Sequence, residues 1–209
     1  LAPHAIYTVS EATLRWTAEF AKIKGIKLHI HVSETEHEMN ECIKKTGLTP
    51  IQYLDKIGFL DSNVIAAHMV WVNDKDMDIV KERGVTVVHC PVSNMKLSSG
   101  VFKFEEYRKR GIPVCVATDG ACSNNNLDLF EEMKFAALLP KISMMNPEIA
   151  TAEEIYMTTT LNPAKALGMA AGEVKTGNLA DIILVDLNNI NLIPDHNLVS
   201  NLVYSAHAD

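Results

Sequence analysis

The sequence predicts an α/β fold built on a parallel sheet. Four short runs rich in Val, Ile and Ala, "GIKLHIHV", "NVIAAHMV", "GVTVVHCP" and "IPVCVATDG", are nearly continuous in hydrophobicity rather than alternating. Parallel strands covered on both faces read this way. Helical patterns separate the runs, which gives successive βα units. His31, His68, His89 and Asp119 stand at the C-terminal ends of the four runs. Polar groups at four consecutive strand ends converge if the strands close in a ring, and the active site of a (β/α)8 barrel lies on that face.

The elements follow in order. "SEATLRWTAEFAKIKG" has Ser10 as N-cap and Gly25 as stop. "TPIQYLDKIG" places Thr49 at the cap and Pro50 at the first helical position. "NDKDMDIVKERG" is capped by Asn73 and ended by Gly84. "NLDLFEEMKFAALLP" follows the last strand, with "NNN" (Asn124 to Asn126) as the loop before it and Asn126 as the cap. "TAEEIYMTTT" begins with a Thr151/Glu154 capping box. From about Gly172 the texture changes. "GEVKTGNLADIILVDLNN" reads as turn, short strand, turn, strand, punctuated by Gly177, Asn178 and Asn188. The expected organisation is a partial barrel over 1–171 and the start of a small β domain over 172–209.

Composition narrows the partners. The 209 residues are 47% hydrophobic and 22% charged, ordinary for a globular domain with a substantial core. The formal net charge of −7 argues against a nucleic-acid partner and fits a small or nearly neutral substrate. No apolar run approaches the roughly 20 residues of a membrane span, and no secretory signal pattern is read. Cys42, Cys90, Cys115 and Cys122 lack CxxC spacing and read as reduced thiols, three of them in or beside apolar strands. A cytoplasmic protein is the expectation. Both ends read as cut, so a longer parent protein is expected too.

The densest stretch is "LHIHVSETEHE", Leu28 to Glu38. A strand puts His29 and His31 on one face, with Glu34 just past its end. Imidazole and carboxylate are the ligands of a catalytic Zn²⁺ with an open position for water. An aromatic ring attacked by that water needs a proton on its neighbouring nitrogen, and the departing amine needs one as well; a nearby carboxylic acid shuttles both. Glu34 is placed for that role. Asp119 can bind the ion and take a proton from the water, with His68 beside it to orient the water. Bland readings win elsewhere. Glu36, His37 and Glu38 read as a solvated helix start favoured by the helix dipole. His196 and His207 read as ordinary surface or packing residues, and the nine methionines as core filler.

"HIHVSET", "AAHMVW", "VVHCPVSNMKLSSG" and "ATDGACSNNNLDLFEEMK", in this order, resemble the amidohydrolase superfamily, and within it the 5′-methylthioadenosine/S-adenosylhomocysteine deaminase branch, neighbour to the chlorotriazine and ammeline hydrolases. "LNPAKALGMAAGEVKTGNLADIILVDL" is similar to the branch where its barrel ends and a β-sandwich resumes. The resemblance implies the C-terminal half of a (β/α)8 barrel, about strands five to eight, plus the start of that sandwich. It implies one divalent ion, Zn²⁺ with Fe²⁺ as the alternative, held by His31 and Asp119. Glu34 becomes the proton shuttle to the purine N1 and His68 the histidine that holds the hydrolytic water. His4, Glu34 and Asn94 become substrate contacts, His89 lines the loop with Asn94, and His29 sits one layer deeper. The implied reaction is hydrolytic deamination of an adenosine thioether. Triazine, guanine or cytosine substrates, or an inactive half-barrel, are the alternatives. The family's His-x-His pair on the first strand has no counterpart here. The chain alone is therefore expected to be inactive, and its unpaired sheet edges to favour a homo-oligomer or assembly with the missing half. Zinc deaminases of the H-x-E/CxxC type are excluded, since neither motif occurs.

Overall fold

The computed structural model describes residues 1–208. In chain order the elements are α1 (Glu11–Lys24), β1 (Leu28–Val32), α2 (Glu36–Thr46), α3 (Pro50–Lys56), β2 (Val64–His68), α4 (Asp74–Arg83), β3 (Thr86–His89), α5 (Pro91–Lys96), α6 (Phe104–Lys109), β4 (Val114–Val116), α7 (Ala121–Asn124), α8 (Leu129–Met144), α9 (Ala152–Thr159), α10 (Leu161–Leu167) and α11 (Leu198–Tyr204). They fall into two compact units, Leu1–His89 with Leu97–Val114, and Cys90–Lys96 with Cys115–Asp209.

The first unit carries the parallel sheet. β1 pairs with β2 from Leu28↔Val64 to Val32↔His68, and β2 with β3 from Ile65↔Thr86 to Ala67↔Val88. The Val87 N–H donates to the Pro113 carbonyl at 3.2 Å, which brings the start of β4 beside β3 and gives the order β1-β2-β3-β4. On the free side of β1, the His29 and His31 N–H groups donate to the Leu1 and His4 carbonyls, and Ala5 forms a parallel bridge with His31. The opening residues thus behave as one more strand edge. Leu28, Ile30 and Val32 are buried while His29 and His31 share the other, half-buried face. β3 is buried at every position. Parallel neighbours in sequence order require crossovers, and the helices supply them.

The expected caps hold for local reasons. The Ser10, Thr49 and Asn73 side chains accept first-turn N–H groups, and Gly25 and Gly84 close α1 and α4 in the left-handed conformation. Asp76 adds a feature not expected: it is fully buried, completes a capping box with Asn73 and accepts hydrogen bonds from Thr49 and Gln52.

In the second unit α8, α9 and α11 pack together. The Thr151/Glu154 capping box forms as read. α8 runs through Pro140 to Met144, because Met133, Ala136, Ala137 and Pro140 lie on one buried face whose packing holds the helix across the proline. Its cap is Asp128, not Asn126: the Asp128 carboxylate accepts the Phe130 and Glu131 N–H groups, and Asn126 accepts the Asp128 N–H one step upstream. The four-residue α7 ends at Asn124, the first residue of the expected "NNN" loop.

Among the described residues, 172–208 form no strand, where two were expected. A strand needs a neighbour for its backbone groups, and Ile182, Ile183 and Leu184 stand 60%, 73% and 96% exposed. The segment instead ends in α11. Asp209, the last residue of the expected β segment, lies outside the described residues. Gly172 opens this stretch at φ +85°, and a Cβ there would lie 2.7 Å from the Thr160 carbonyl oxygen, so the chain passes only as glycine. No helix among the described residues is long and apolar enough to cross a membrane.

Candidate functional site

In the first unit the ends of β1 and β2 bring four of the expected site residues together. His31 is oriented from behind by His4. Its Nδ1 lies 2.9 Å from the His4 carbonyl oxygen, which also accepts the His31 backbone N–H at 3.0 Å. A carbonyl can only accept, so Nδ1 carries a proton and the lone pair of the neutral ring is on Nε2. Metal-binding histidines are commonly fixed by such an outer bond. The His4 ring packs edge-on against His31, with centroids 5.1 Å apart, and His29 does the same at 5.4 Å. The exposed His4 ring has its own orienting bond. Its Nδ1 lies 2.8 Å from the Thr8 hydroxyl, which donates to the Ala5 carbonyl; the imidazole therefore donates and its lone pair too is on Nε2.

His68 lies buried at the end of β2, its ring roughly parallel to His31 with centroids 5.4 Å apart. One ligand nitrogen from each ring lies within 4.8 Å of the other. One oxygen of Glu34 is 3.7 Å from His68 Nε2, and the other accepts the Ser99 hydroxyl at 3.3 Å. The backbone here is strained: Ser33, His68 and Met69 have φ values of 54°, 72° and 50°. Such conformations cost about 1–3 kcal/mol each in non-glycine residues, persist only where the surroundings over-determine them, and concentrate at functional sites.

His89 has a packing role. It is buried in a stack with Phe102 (4.2 Å) and Tyr107 (4.9 Å from Phe102), and burial, with His68 nearby, pushes its pKa down to about 3. It stays neutral.

The expectation for Glu38 is overturned. It is not part of a solvated helix start but a buried acid, 6% exposed, whose two carboxylate oxygens accept the Ser33 and Glu34 N–H groups at 2.9 Å each. Glu36 and His37 are exposed as expected. A signal was present: Thr35-x-x-Glu38 has capping-box spacing, and Thr35 does cap α2 by accepting the Glu38 N–H. Ser99 carried no such signal.

The second unit holds Asp119 and Asn94. Asp119 sits just past β4 at φ 59°, and its Oδ2 accepts the hydroxyls of Ser93 (2.7 Å) and Ser123 (2.6 Å). Asn94 is buried in α5, which replaces the loop expected over "HCPVSN". Glu132, unremarked in the sequence, is fully buried; it accepts the Val92 N–H at 3.2 Å and the Asn124 amide at 2.5 Å. Burial pushes its pKa up to about 7. The same Asn124 amide donates to the Thr118 carbonyl at 2.6 Å, so this asparagine ties the turn after β4 to α8.

Imidazoles oriented from behind, a carboxylate beside them and strained strand ends are the features of a hydrolytic metal site on a parallel α/β scaffold. The chain belongs to the amidohydrolase family, whose model matches residues 1–208. It is 49% identical over 207 residues to a 5-methylthioadenosine/S-adenosylhomocysteine deaminase of Thermococcus sibiricus, covering 99% of this chain and 49% of that protein. It is 48% identical over 206 residues to a 5′-deoxyadenosine deaminase of Methanosphaera stadtmanae, covering 99% and 48%. Among solved structures, an adenosine deaminase from Xanthomonas campestris with bound zinc is 35% identical at a TM-score of 0.95, over 99% of this chain and 47% of that one. The chain spans about half the length of the curated relatives it matches. Its βα units are thus a half-barrel of the amidohydrolase type, as the sequence indicates.

Proposed function

We propose that the whole protein is a zinc-dependent aminohydrolase that converts an adenosine thioether, 5′-methylthioadenosine or S-adenosylhomocysteine, to the inosine analogue and ammonia. The observation that carries the proposal is the fixed tautomer of His31, which leaves Nε2 as the ligand atom beside His68 and Glu34. The names of relatives at 48–49% identity supply the substrate class. His31 and Asp119 are the proposed zinc ligands among these residues: imidazole nitrogen and carboxylate oxygen suit this borderline cation. When bound, the ion lowers the pKa of water from about 15.7 to near 7.

The chain's own groups do the rest. Asp119 takes one proton from the attacking water and His68 orients it. Glu34, protonated at the start, gives its proton to the purine N1 as the oxygen adds to the adjacent carbon. The amine then leaves as ammonia with the proton held on Asp119, while the added hydroxyl returns its remaining proton to Glu34, so that the ring carbonyl forms and Glu34 is protonated again. His4 and Asn94 are the proposed substrate contacts, His4 through Nε2 as an acceptor. The segment 172–209 is the proposed start of a β-sandwich whose strands pair with partners outside these residues. A homo-oligomer, or assembly with the other half of the barrel, accounts for the sheet edges. A cytoplasmic location agrees with the four cysteines standing as thiols rather than in disulfides.

The test is to make the protein at the length of its relatives, load zinc, and follow ammonia release from 5′-methylthioadenosine. Wild type should turn over, and Glu34→Gln should retain zinc and lose roughly 10²-fold or more in kcat. Wild type without ammonia release, or near-normal turnover by Glu34→Gln, overturns the reading. Residues 1–209 alone should show no comparable turnover.

A further inference from the structure

We propose that Glu38 is a positioning residue for Glu34: its buried carboxylate fixes the backbone from which the proton shuttle is presented. The inference rests on the proposed shuttle role of Glu34 and deepens it.

Four observations converge. First, Glu38 is 6% exposed, and its two oxygens are spent on two consecutive backbone donors, Ser33 N–H and Glu34 N–H, at 2.9 Å each. Glu34 is thus held at its own amide, one bond from the Cα that sets its side-chain direction. Second, Ser33 is strained at φ 54° and fully buried, with a hydroxyl that has no hydrogen-bond partner. Its conformation is not maintained by its side chain. Third, the other face of the same peptide is held as well: the Ser33 carbonyl accepts the Val70 N–H at 2.9 Å and the Trp71 N–H at 2.8 Å. Residues 70 and 71 lie two and three places after His68, so one short segment ties the Glu34 loop to the turn that carries His68. Fourth, Ser99 holds one oxygen of the Glu34 side chain, while the other lies 3.7 Å from His68 Nε2.

A plain capping role explains less. In a capping box the N3 carboxylate reaches the backbone N–H of the N-cap residue. Here the N-cap is Thr35, whose N–H is the weakest of three backbone donors to the carboxylate, and the Glu38 oxygens accept at 2.9 Å from the two residues before it. The carboxylate passes over the helix start to reach the strand end. Burying it is unfavourable in itself, since desolvation raises its pKa against the pull of the Ser33 and Glu34 donors. The compensation is geometric: two fixed donors, two acceptors, and a shuttle whose backbone cannot rotate away. A proton donor displaced by about 1 Å can lose on the order of 10²-fold in rate.

The experiment is a double-mutant cycle in the zinc-loaded protein at the length of its relatives, with 5′-methylthioadenosine as substrate. Glu38→Gln keeps the shape and one good acceptor but turns an amide N–H₂ toward a backbone donor. It should lower kcat by about 10-fold to 10²-fold, with KM and zinc content little changed. In the Glu34→Gln background the same substitution should cost less than about twofold, because a group that acts through another has nothing left to position. Equal costs in both backgrounds, or a loss seen only in KM, make Glu38 merely structural and overturn the proposal. Should Glu34→Gln itself retain turnover, the shuttle reading fails instead, and the two failures are distinguishable. Amide exchange of the unmodified protein gives a readout independent of any variant's folding. The Ser33 and Glu34 amides should exchange more slowly than those of Glu36 and His37; exchange as fast as theirs also overturns the proposal.

Discussion

Thr35-x-x-Glu38 and Thr151-x-x-Glu154 share a spacing and diverge in use. Both threonines cap a helix by accepting the N–H three residues on. Glu154 then closes the box in the ordinary way, its carboxylate accepting the Thr151 N–H at 2.9 Å from a half-buried position. Glu38 is buried and reaches instead to Ser33 and Glu34. The difference lies in what precedes the cap. Ser33, two residues before Thr35, leaves β1 in a left-handed turn whose own amide and the next one face the buried carboxylate. Ala150, also buried and left-handed, directly precedes Thr151, and there the Glu154 carboxylate takes the Thr151 N–H itself. One local motif thus starts a helix in one unit and, in the other, also holds the backbone of Ser33 and Glu34.

The sharpest way to break this comparison is to remove the two acids in turn. Glu38→Ala leaves two N–H groups without acceptors, one on a fully buried residue, each costing about 1–3 kcal/mol. Glu154→Ala uncovers a donor that water can reach, a loss of about 1 kcal/mol or less. Urea midpoints should fall much further for the first, and only the first should lower turnover. Equal shifts in midpoint, or a turnover loss for Glu154→Ala, would show that the two boxes do the same thing.

A third buried acid sharpens the point. Glu132 has one backbone donor, the Val92 N–H, where Glu38 has two, and burial raises its pKa from 4.5 to about 7. Desolvation raises both carboxyls above their ordinary value, against the pull of the donors each accepts from. The sign of the pH effect follows. Between about pH 4.5 and 7 the folded protein holds a proton on Glu132 that the unfolded chain releases, so this contribution favours folding at low pH and is lost as pH rises through 7. Its size is on the order of 3 kcal/mol. In metal-free protein the stability of wild type relative to Glu132→Gln should decline over that window. A relative stability that climbs with pH would place the Glu132 pKa below its ordinary value.

How much of this was legible in the sequence depends on the range of the forces involved. The four strands were legible because fully covered parallel strands are apolar along their length, and the caps of α1, α3, α4 and α9 because capping is a matter of three or four residues. His31, His68 and Glu34 were legible from strand-end position and His4 from the family resemblance, and the structure gathers them. Glu38 was misread because acid at a helix start has a sufficient local explanation; only the left-handed turn at Ser33 gives it another. The short helices α5, α7, α10 and α11 have weak local signals and depend on packing. "ADIILVDL" reads as strand from its residues, yet a strand exists only with a neighbour, and none forms over 172–208. The break between units at residues 90 and 115 was likewise invisible, because it is set by long-range contacts rather than by composition.

The smallest expected effect is the most discriminating between the two boxes, because it leaves both acids in place. Thr35→Ala and Thr151→Ala each remove one side-chain acceptor from a first-turn N–H, at 3.1 Å in the first case and 3.3 Å in the second. Loss of a threonine N-cap costs about 0.5–2 kcal/mol wherever it occurs. In stability the two variants should therefore be alike, each near 1 kcal/mol in a urea titration. In turnover they should not. The N–H that loses its acceptor in Thr35→Ala is that of Glu38 itself, so the α2 start is loosened at the residue whose carboxylate holds Ser33 and Glu34, and kcat should fall by about twofold to tenfold. Thr151 begins a helix far along the chain from any proposed site residue, and its variant should turn over at the wild-type rate. If both variants lose stability and neither loses turnover, the Glu38 carboxylate keeps its place without its cap, and Ser33 with the Val70 and Trp71 amides is what holds the turn.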